Sequence, residues 1–238
     1  MPQYANLKKF VLALAVFAIA SFGTAMTAKA DGIVLGGTVG DQGTGFGSVL
    51  NILTLQDIGN ETGNVGWNGT SRTLSGDATN TSQALLFSTL IANGITNASQ
   101  LGIVYNVNQQ GNAGGLTTTL NTFHLQVFNN TTGLLVYEST TCVGCGPGFV
   151  PIAQGTGGAG YVFILDAAAQ LALAPFFADP SNFRLGGFGN IDLANDGPEN
   201  FYAAQVQNGV VVPEPASMLL LGTGLLGVAA AARRRFRK

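Results

Sequence analysis

The sequence predicts an all-β protein, an antiparallel β-sandwich of jelly-roll type with one short helix. Three observations predict it. Short apolar runs recur along the chain, separated by glycine- and asparagine-rich stretches. Several of these runs alternate apolar and polar residues, the period of a strand buried on one face. Strong turn dipeptides fall between them, at Asn68-Gly69, Asn93-Gly94, Asp196-Gly197 and Asn208-Gly209. Many short strands joined by such turns favour a sandwich or barrel.

The first strands are expected at Gly32–Val39, Phe46–Gln56 and Gln83–Leu90, each rich in aliphatic side chains. In the next, Leu101–Asn108, Ile103, Tyr105 and Val107 share one face while Asn106 and Asn108 share the other. Thr122–Phe128 behaves likewise, with Phe123, Leu125 and Val127 opposite His124 and Gln126. The run 129–133, Asn-Asn-Thr-Thr-Gly, reads as the turn leading to a strand at Leu134–Glu138. Tyr161–Leu165 is apolar on both faces and reads as a central strand. The helix is expected at Ala167–Phe177, with Asp166 able to cap its start and Pro175 limiting its end. Strands at Phe183–Ile191 and Phe201–Val206 complete the set, and residues 207–212 read as a linker.

Charge is distributed unevenly. Of ten Lys and Arg residues, only Arg72 and Arg184 lie between Asp31 and Pro215, against twelve carboxylates. Two cations minus twelve anions leave that segment near −10, although the whole chain carries −2. A surface this poor in cations cannot neutralise a phosphate backbone, which excludes nucleic acid as a partner. Neutral extracellular polysaccharide, cations or further copies of the chain are compatible with it.

Few residue groups suggest chemistry. Cys142 and Cys145 are the only cysteines, and a disulfide between them is expected in an oxidising compartment. A redox pair and half of a metal site are the alternatives. The flanking Gly144, Gly146, Pro147 and Gly148 disfavour the helix that a redox motif needs. Asp192, Asn195, Asp196 and Glu199 gather oxygen donors around Gly197 and could hold calcium, although a hairpin turn uses the same residues. Asp57, Asn60 and Glu61 form a sparser cluster of the same kind. Trp67, in a glycine- and asparagine-rich stretch, is a candidate for stacking on a sugar ring or for the core. The lone histidine, His124, could serve a hydrolase as base, but no nucleophile elbow, His-Glu-x-x-His or phosphate-binding loop accompanies it. The residues therefore favour a non-enzymatic structural or adhesive domain. A carbohydrate-binding module, with or without assistance from calcium, is the alternative, and a hydrolase the remote one.

The two ends read as addresses. Lys8 and Lys9 precede an apolar stretch from Phe10 to Phe22, and Ala28-Lys29-Ala30 fits a signal-peptidase site. Residues 1–30 are thus expected to be a signal peptide, handled by the secretion translocon and signal peptidase, ahead of an ectodomain over residues 31–206. At the other end, Pro213-Glu214-Pro215 precedes an uncharged apolar run from Ala216 to Ala232. Arg233, Arg234, Arg235, Arg237 and Lys238 follow. As a helix the run would be about 25 Å long, the low end of a membrane span, with the basic cluster cytoplasmic.

This three-part pattern, residues 213–238, resembles the PEP-CTERM sorting signal of Gram-negative bacteria. The resemblance implies an exosortase as partner, which recognises the tripeptide and removes the tail. It implies a transient inner-membrane anchor and then delivery to the cell surface or extracellular polymer matrix. It carries routing only, because proteins bearing this tail have unrelated ectodomains.

Overall fold

The computed structural model describes residues 31–39, 50–108, 117–152, 159–195, 197–207 and 210–211. Fourteen strands occur in these segments. The first five are β1 (Gly32–Val39), β2 (Leu50–Leu55), β3 (Ile58–Trp67), β4 (Arg72–Gly76) and β5 (Leu85–Leu86). Helix α1 (Phe87–Ala92) and a 3-10 turn (Ala98–Gln100) lead to β6 (Leu101–Asn106), β7 (Thr118–Asn129) and β8 (Leu135–Glu138). Then come β9 (Thr141–Val143), β10 (Gly146–Phe149), β11 (Gly160–Leu165) and helix α2 (Ala167–Ala178). Strands β12 (Phe183–Asn195), β13 (Glu199–Gln207) and β14 (Val210–Val211) close the fold.

They form two seven-stranded sheets. The first runs β14-β13-β6-β11-β1-β9, with β2 also on β13. The second runs β10-β7-β12-β3-β4, with β5 on β12 and β8 on β7. Both contribute to one core. At its centre Tyr105 of β6, Phe201 of β13 and Phe123 of β7 stack in sequence, with ring centroids 4.8 and 4.3 Å apart. All three are fully buried. A smaller cluster of Val104, Val162, Tyr202 and Val206 covers the other face of the first sheet. That is why β6, expected to be half-buried, is buried along its whole length.

Three parts of the expected fold class are corrected. The sheets are not wholly antiparallel, because β1 runs parallel to β9. Short strands of two to four residues (β5, β8, β9, β10 and β14) extend both sheets beyond the plan of an eight-stranded jelly roll. There are two helices, not one. The segment expected as a strand at Gln83–Leu90 gives two strand residues and then turns into α1, with Phe87 and Leu90 buried at helical spacing.

Helix α2 begins where expected, with the Asp166 carboxylate accepting from the Ala169 N–H at 2.7 Å. Pro175 lies inside it and does not end it. The transmembrane helix and the inner-membrane anchor inferred from it are also corrected. No helix among the described residues is long and apolar enough to cross a membrane. At twelve residues α2 is about 18 Å long, against about 30 Å of hydrocarbon. The run 216–232 lies outside the described residues.

Candidate functional site

The segment between β4 and β5 is polar and unusually well held. The Thr79 N–H donates to the Thr54 carbonyl at 2.9 Å and the Gln83 N–H to the Ile52 carbonyl at 2.8 Å. Between these, the buried Ser82 hydroxyl accepts from the Thr54 N–H at 2.9 Å. The outer side is fixed by charge. Arg72 donates to the carbonyls of Asn80, at 2.8 Å, and Ser82. Arg184 donates to the carbonyl of Ala84 at 2.8 Å. Alternate carbonyls of one loop are therefore held by the two cations of residues 31–215.

Behind this loop lies a cavity of about 690 Å³. Strand β2 lines it with Asn51 and Thr54, Gln56 just beyond the strand adds to them, and the loop contributes residues 79–81 and Gln83. The end of β6 and the start of β13 add Asn106, Pro198, Asn200 and Tyr202. None of these carries a formal charge. Burial raises the Tyr202 phenol well above its ordinary value, so it stays neutral. The floor is cross-linked. Asn51 Nδ2 donates to Thr54 Oγ1 at 2.8 Å and to the Thr81 carbonyl at 2.9 Å. Thr54 Oγ1 donates in turn to Asn200 Oδ1 at 2.7 Å, and Asn200 Nδ2 to the Pro198 carbonyl at 2.9 Å. Asn51 Oδ1 is buried and receives no hydrogen bond.

Trp67 lies outside this cavity, at the end of β3 and packed against the core. Its indole N–H donates to the Asn130 carbonyl at 2.7 Å, and the Arg184 guanidinium lies 3.8 Å over its ring. One π-face is thus occupied by a cation, and Arg184 is oriented by the ring and by Asn130 Oδ1 at 2.6 Å. In this arrangement the indole supports the loop clamp.

Of the residues proposed for calcium, Asp192 and Glu199 are separated. Asp192 pairs across the sheet with Asn60, and its carboxylate accepts from the side-chain amides of Asn60 and Asn121. Those two hydrogen bonds lower its pKa. One residue along each strand, Ile191 and Glu61 point the other way, into the core. Glu199 is fully buried there and shares a hydrogen bond with Glu61. The second sheet therefore stands between Asp192 and Glu199. Asn195 ends β12 beside a bulge at Leu193, and Asp196 lies outside the described residues. Among the described residues no group of three or more His, Cys, Asp or Glu could hold a metal ion.

Cys142 and Cys145 are disulfide-bonded and close the turn between β9 and β10. On β7, His124 Nδ1 contacts the Ser139 carbonyl at 2.5 Å, so that nitrogen carries the proton. Nε2 faces the Thr122 hydroxyl at 2.9 Å, two residues away on the same strand face. Neither residue lines the cavity.

The chain beyond the last strand is decided by comparison. A family model described as the PEP-CTERM protein-sorting motif matches residues 211–235. The chain carries a PEP-CTERM sorting motif. The motif takes in Pro213, Glu214, Pro215 and Arg233 to Arg235. Arg237 and Lys238 lie just past the match, and all of these residues lie outside the described ones. The PEP-CTERM match opens on Val211, which is still in the domain, paired in β14 with Val206 of β13. Residues 210–211, expected in a linker, thus belong to a sheet edge, two residues before the tripeptide. No curated protein and no solved structure matches the chain.

The asparagine-, threonine- and glutamine-lined cavity was not singled out by the sequence reasoning. The available signal was the run of residues 79–83, Thr-Asn-Thr-Ser-Gln, between two strands and free of glycine and charge.

Proposed function

We propose that this is a non-enzymatic exported protein that an exosortase-type system delivers to the cell surface or extracellular polymer matrix. Its β-domain serves there in a structural or adhesive role. The PEP-CTERM motif at residues 211–235 carries the reading. The exosortase recognises Pro213-Glu214-Pro215, and the translocon and signal peptidase act earlier, with cleavage after Ala30.

The fold supports that cleavage point. The chain divides between Ala30 and Asp31. The Asp31 carbonyl already accepts from the N–H groups of Thr140, at 2.8 Å, and Thr141, at 3.2 Å. A mature chain starting at Asp31 would keep every one of those contacts. An adhesive role has its own support at the edge of the second sheet. Leu134, just ahead of β8, is 65% exposed, and Leu135 and Val136 within it are 47% and 45% exposed. An apolar strand edge of this kind favours self-association.

The test is mass spectrometry of the protein recovered from outside fractionated cells. The expected product begins at Asp31 and lacks the basic cluster 233–238. Intact Lys238 in extracellular material, or a Glu214→Ala variant reaching the surface as well as the wild type, would overturn the routing.

A further inference from the structure

We infer that the cavity between β2, the loop of residues 79–84 and β13 is a binding site for a neutral oligosaccharide segment. The inference rests on the proposed delivery to a polymer matrix for where such a ligand is met. Its chemistry rests on the cavity alone.

The lining selects against charge. A phosphate, carboxylate or sulfate would find no cation there, and a metal ion or amine no carboxylate. Both arginines of the domain act from the outer side of the loop, on its carbonyls. What the lining presents is side-chain amide and hydroxyl groups, each able to donate and accept. A sugar hydroxyl does both as well, so every one of them can be matched without an unpaired charge. Pro198 and Tyr202 add apolar surface suited to the C–H face of a pyranose. The volume, about 690 Å³, falls in the range of about 300–1,000 Å³ usual for small-ligand pockets.

Two observations indicate a built site and not a gap between loops. The wall of residues 79–84 is held by two backbone bonds to β2, the Ser82 hydroxyl and both arginines. A wall fixed in advance loses little conformational freedom when a ligand binds. The floor network also ends in an open acceptor, Asn51 Oδ1, which has no donor among the described residues. The exposed edge offers Gln56, Asn80 and Gln83, whose side-chain amides make no hydrogen bond among the described residues.

The test is affinity electrophoresis of the purified full chain through gels containing dextran, laminarin or galactomannan, with polygalacturonate as the anionic control. We expect retardation by at least one neutral polymer and none by polygalacturonate. In Gln56→Ala/Gln83→Ala, loss of two hydrogen bonds should weaken that binding about tenfold or more. Both side chains are exposed, so the thermal midpoint should not move. The site is overturned if no neutral polymer retards the chain, if only polygalacturonate does, or if the double variant binds unchanged. Because purified chain is used, failure here leaves the routing intact, and misrouting in cells leaves this binding intact.

Discussion

The loop of residues 79–84 and the Glu61–Glu199 pair are both polar regions folded into a domain with almost no cations, and they are neutralised by different means. In the loop, three carbonyls take hydrogen bonds from Arg72 and Arg184. In the core, two carboxyl groups lie side by side with no exposure to water. Glu61 Oε1 accepts from the Asp57 N–H at 2.7 Å, and Glu61 shares a further bond with Glu199. Both arginines are engaged elsewhere, and residues 31–215 contain no lysine. Two adjacent buried carboxylates cannot both be ionised cheaply, so a proton takes the place of the missing cation. Burial is the main cause raising the Glu61 pKa, and the nearby Asp77 and Asp57 raise it further. The lesson is that a lysine-free surface leaves its mark inside the fold. Arginines hold the loop carbonyls, whereas at the Glu61–Glu199 pair, which none reaches, burial raises the Glu61 pKa and favours a bound proton.

The largest effect is expected from breaking the clamp at its base. Trp67→Ala removes a large half-buried ring, its hydrogen bond to Asn130 and the platform under Arg184. A cost of about 3 kcal/mol is expected, at the lower end for aromatic truncations because the ring is not fully buried. Trp67→Phe should recover most of it. Because Trp67 is the sole tryptophan, the urea midpoints must be read by circular dichroism and not by fluorescence.

The acid pair should give the next effect, and its sign is opposite to that of a salt-bridged carboxylate. A folded-state pKa raised above the ordinary 4.5 means that the folded chain holds more protons than the unfolded one in that window. This contribution to stability is complete below about pH 4.5 and is lost as pH rises through the folded value. The slope there approaches about 1.4 kcal/mol per pH unit for one proton. Asp192 acts the other way, since its lowered pKa favours folding above its ordinary value and loses that benefit only in stronger acid. The wild type should therefore resist urea better near pH 5 than near pH 7.5. Glu61→Gln keeps the acceptor to Asp57, removes the titration and should flatten that difference. An unchanged slope in the variant would assign the effect to general repulsion among the surface acids.

What could be read from the sequence divides along the same line between apolar and polar content. Strand β1 falls on its expected residues, and β7, β11, β12 and β13 enclose or overlap theirs, because Val, Ile, Leu and Phe mark them. Strand β3 gave no such signal. Its sequence, Ile-Gly-Asn-Glu-Thr-Gly-Asn-Val-Gly-Trp, reads as turns, yet it pairs with both β12 and β4. Its glycines are needed for close approach. A Cβ on Gly63 would lie 2.6 Å from a Leu55 methyl and 2.8 Å from the Ala78 nitrogen. The buried Glu61 was legible only as a possible metal ligand, since nothing local reveals that Glu199 lies beside it in space. The cavity was hidden for a related reason. Asn51, Thr54, Gln83 and Asn200 come from separate segments and look like ordinary polar surface until β2, the loop and β13 meet.

The smallest effect separates local from global roles within the clamp. Arg72 is only half-buried and bonds two loop carbonyls, whereas Arg184 is tied to Trp67 and the core. Arg72→Ala is expected to cost about 1 kcal/mol, the net value of a lost hydrogen bond or two at a wetted site. That loss should fall on the loop before the domain. Amide exchange at Thr79 and Gln83, whose N–H groups hold the loop to β2, should quicken while exchange at Ile103 and Phe163 in the core does not. Arg72→Lys should restore part of the protection, because an ammonium can hold one carbonyl as a point charge but lacks the planar fork that spans two. If exchange quickens equally in loop and core, Arg72 supports the whole fold.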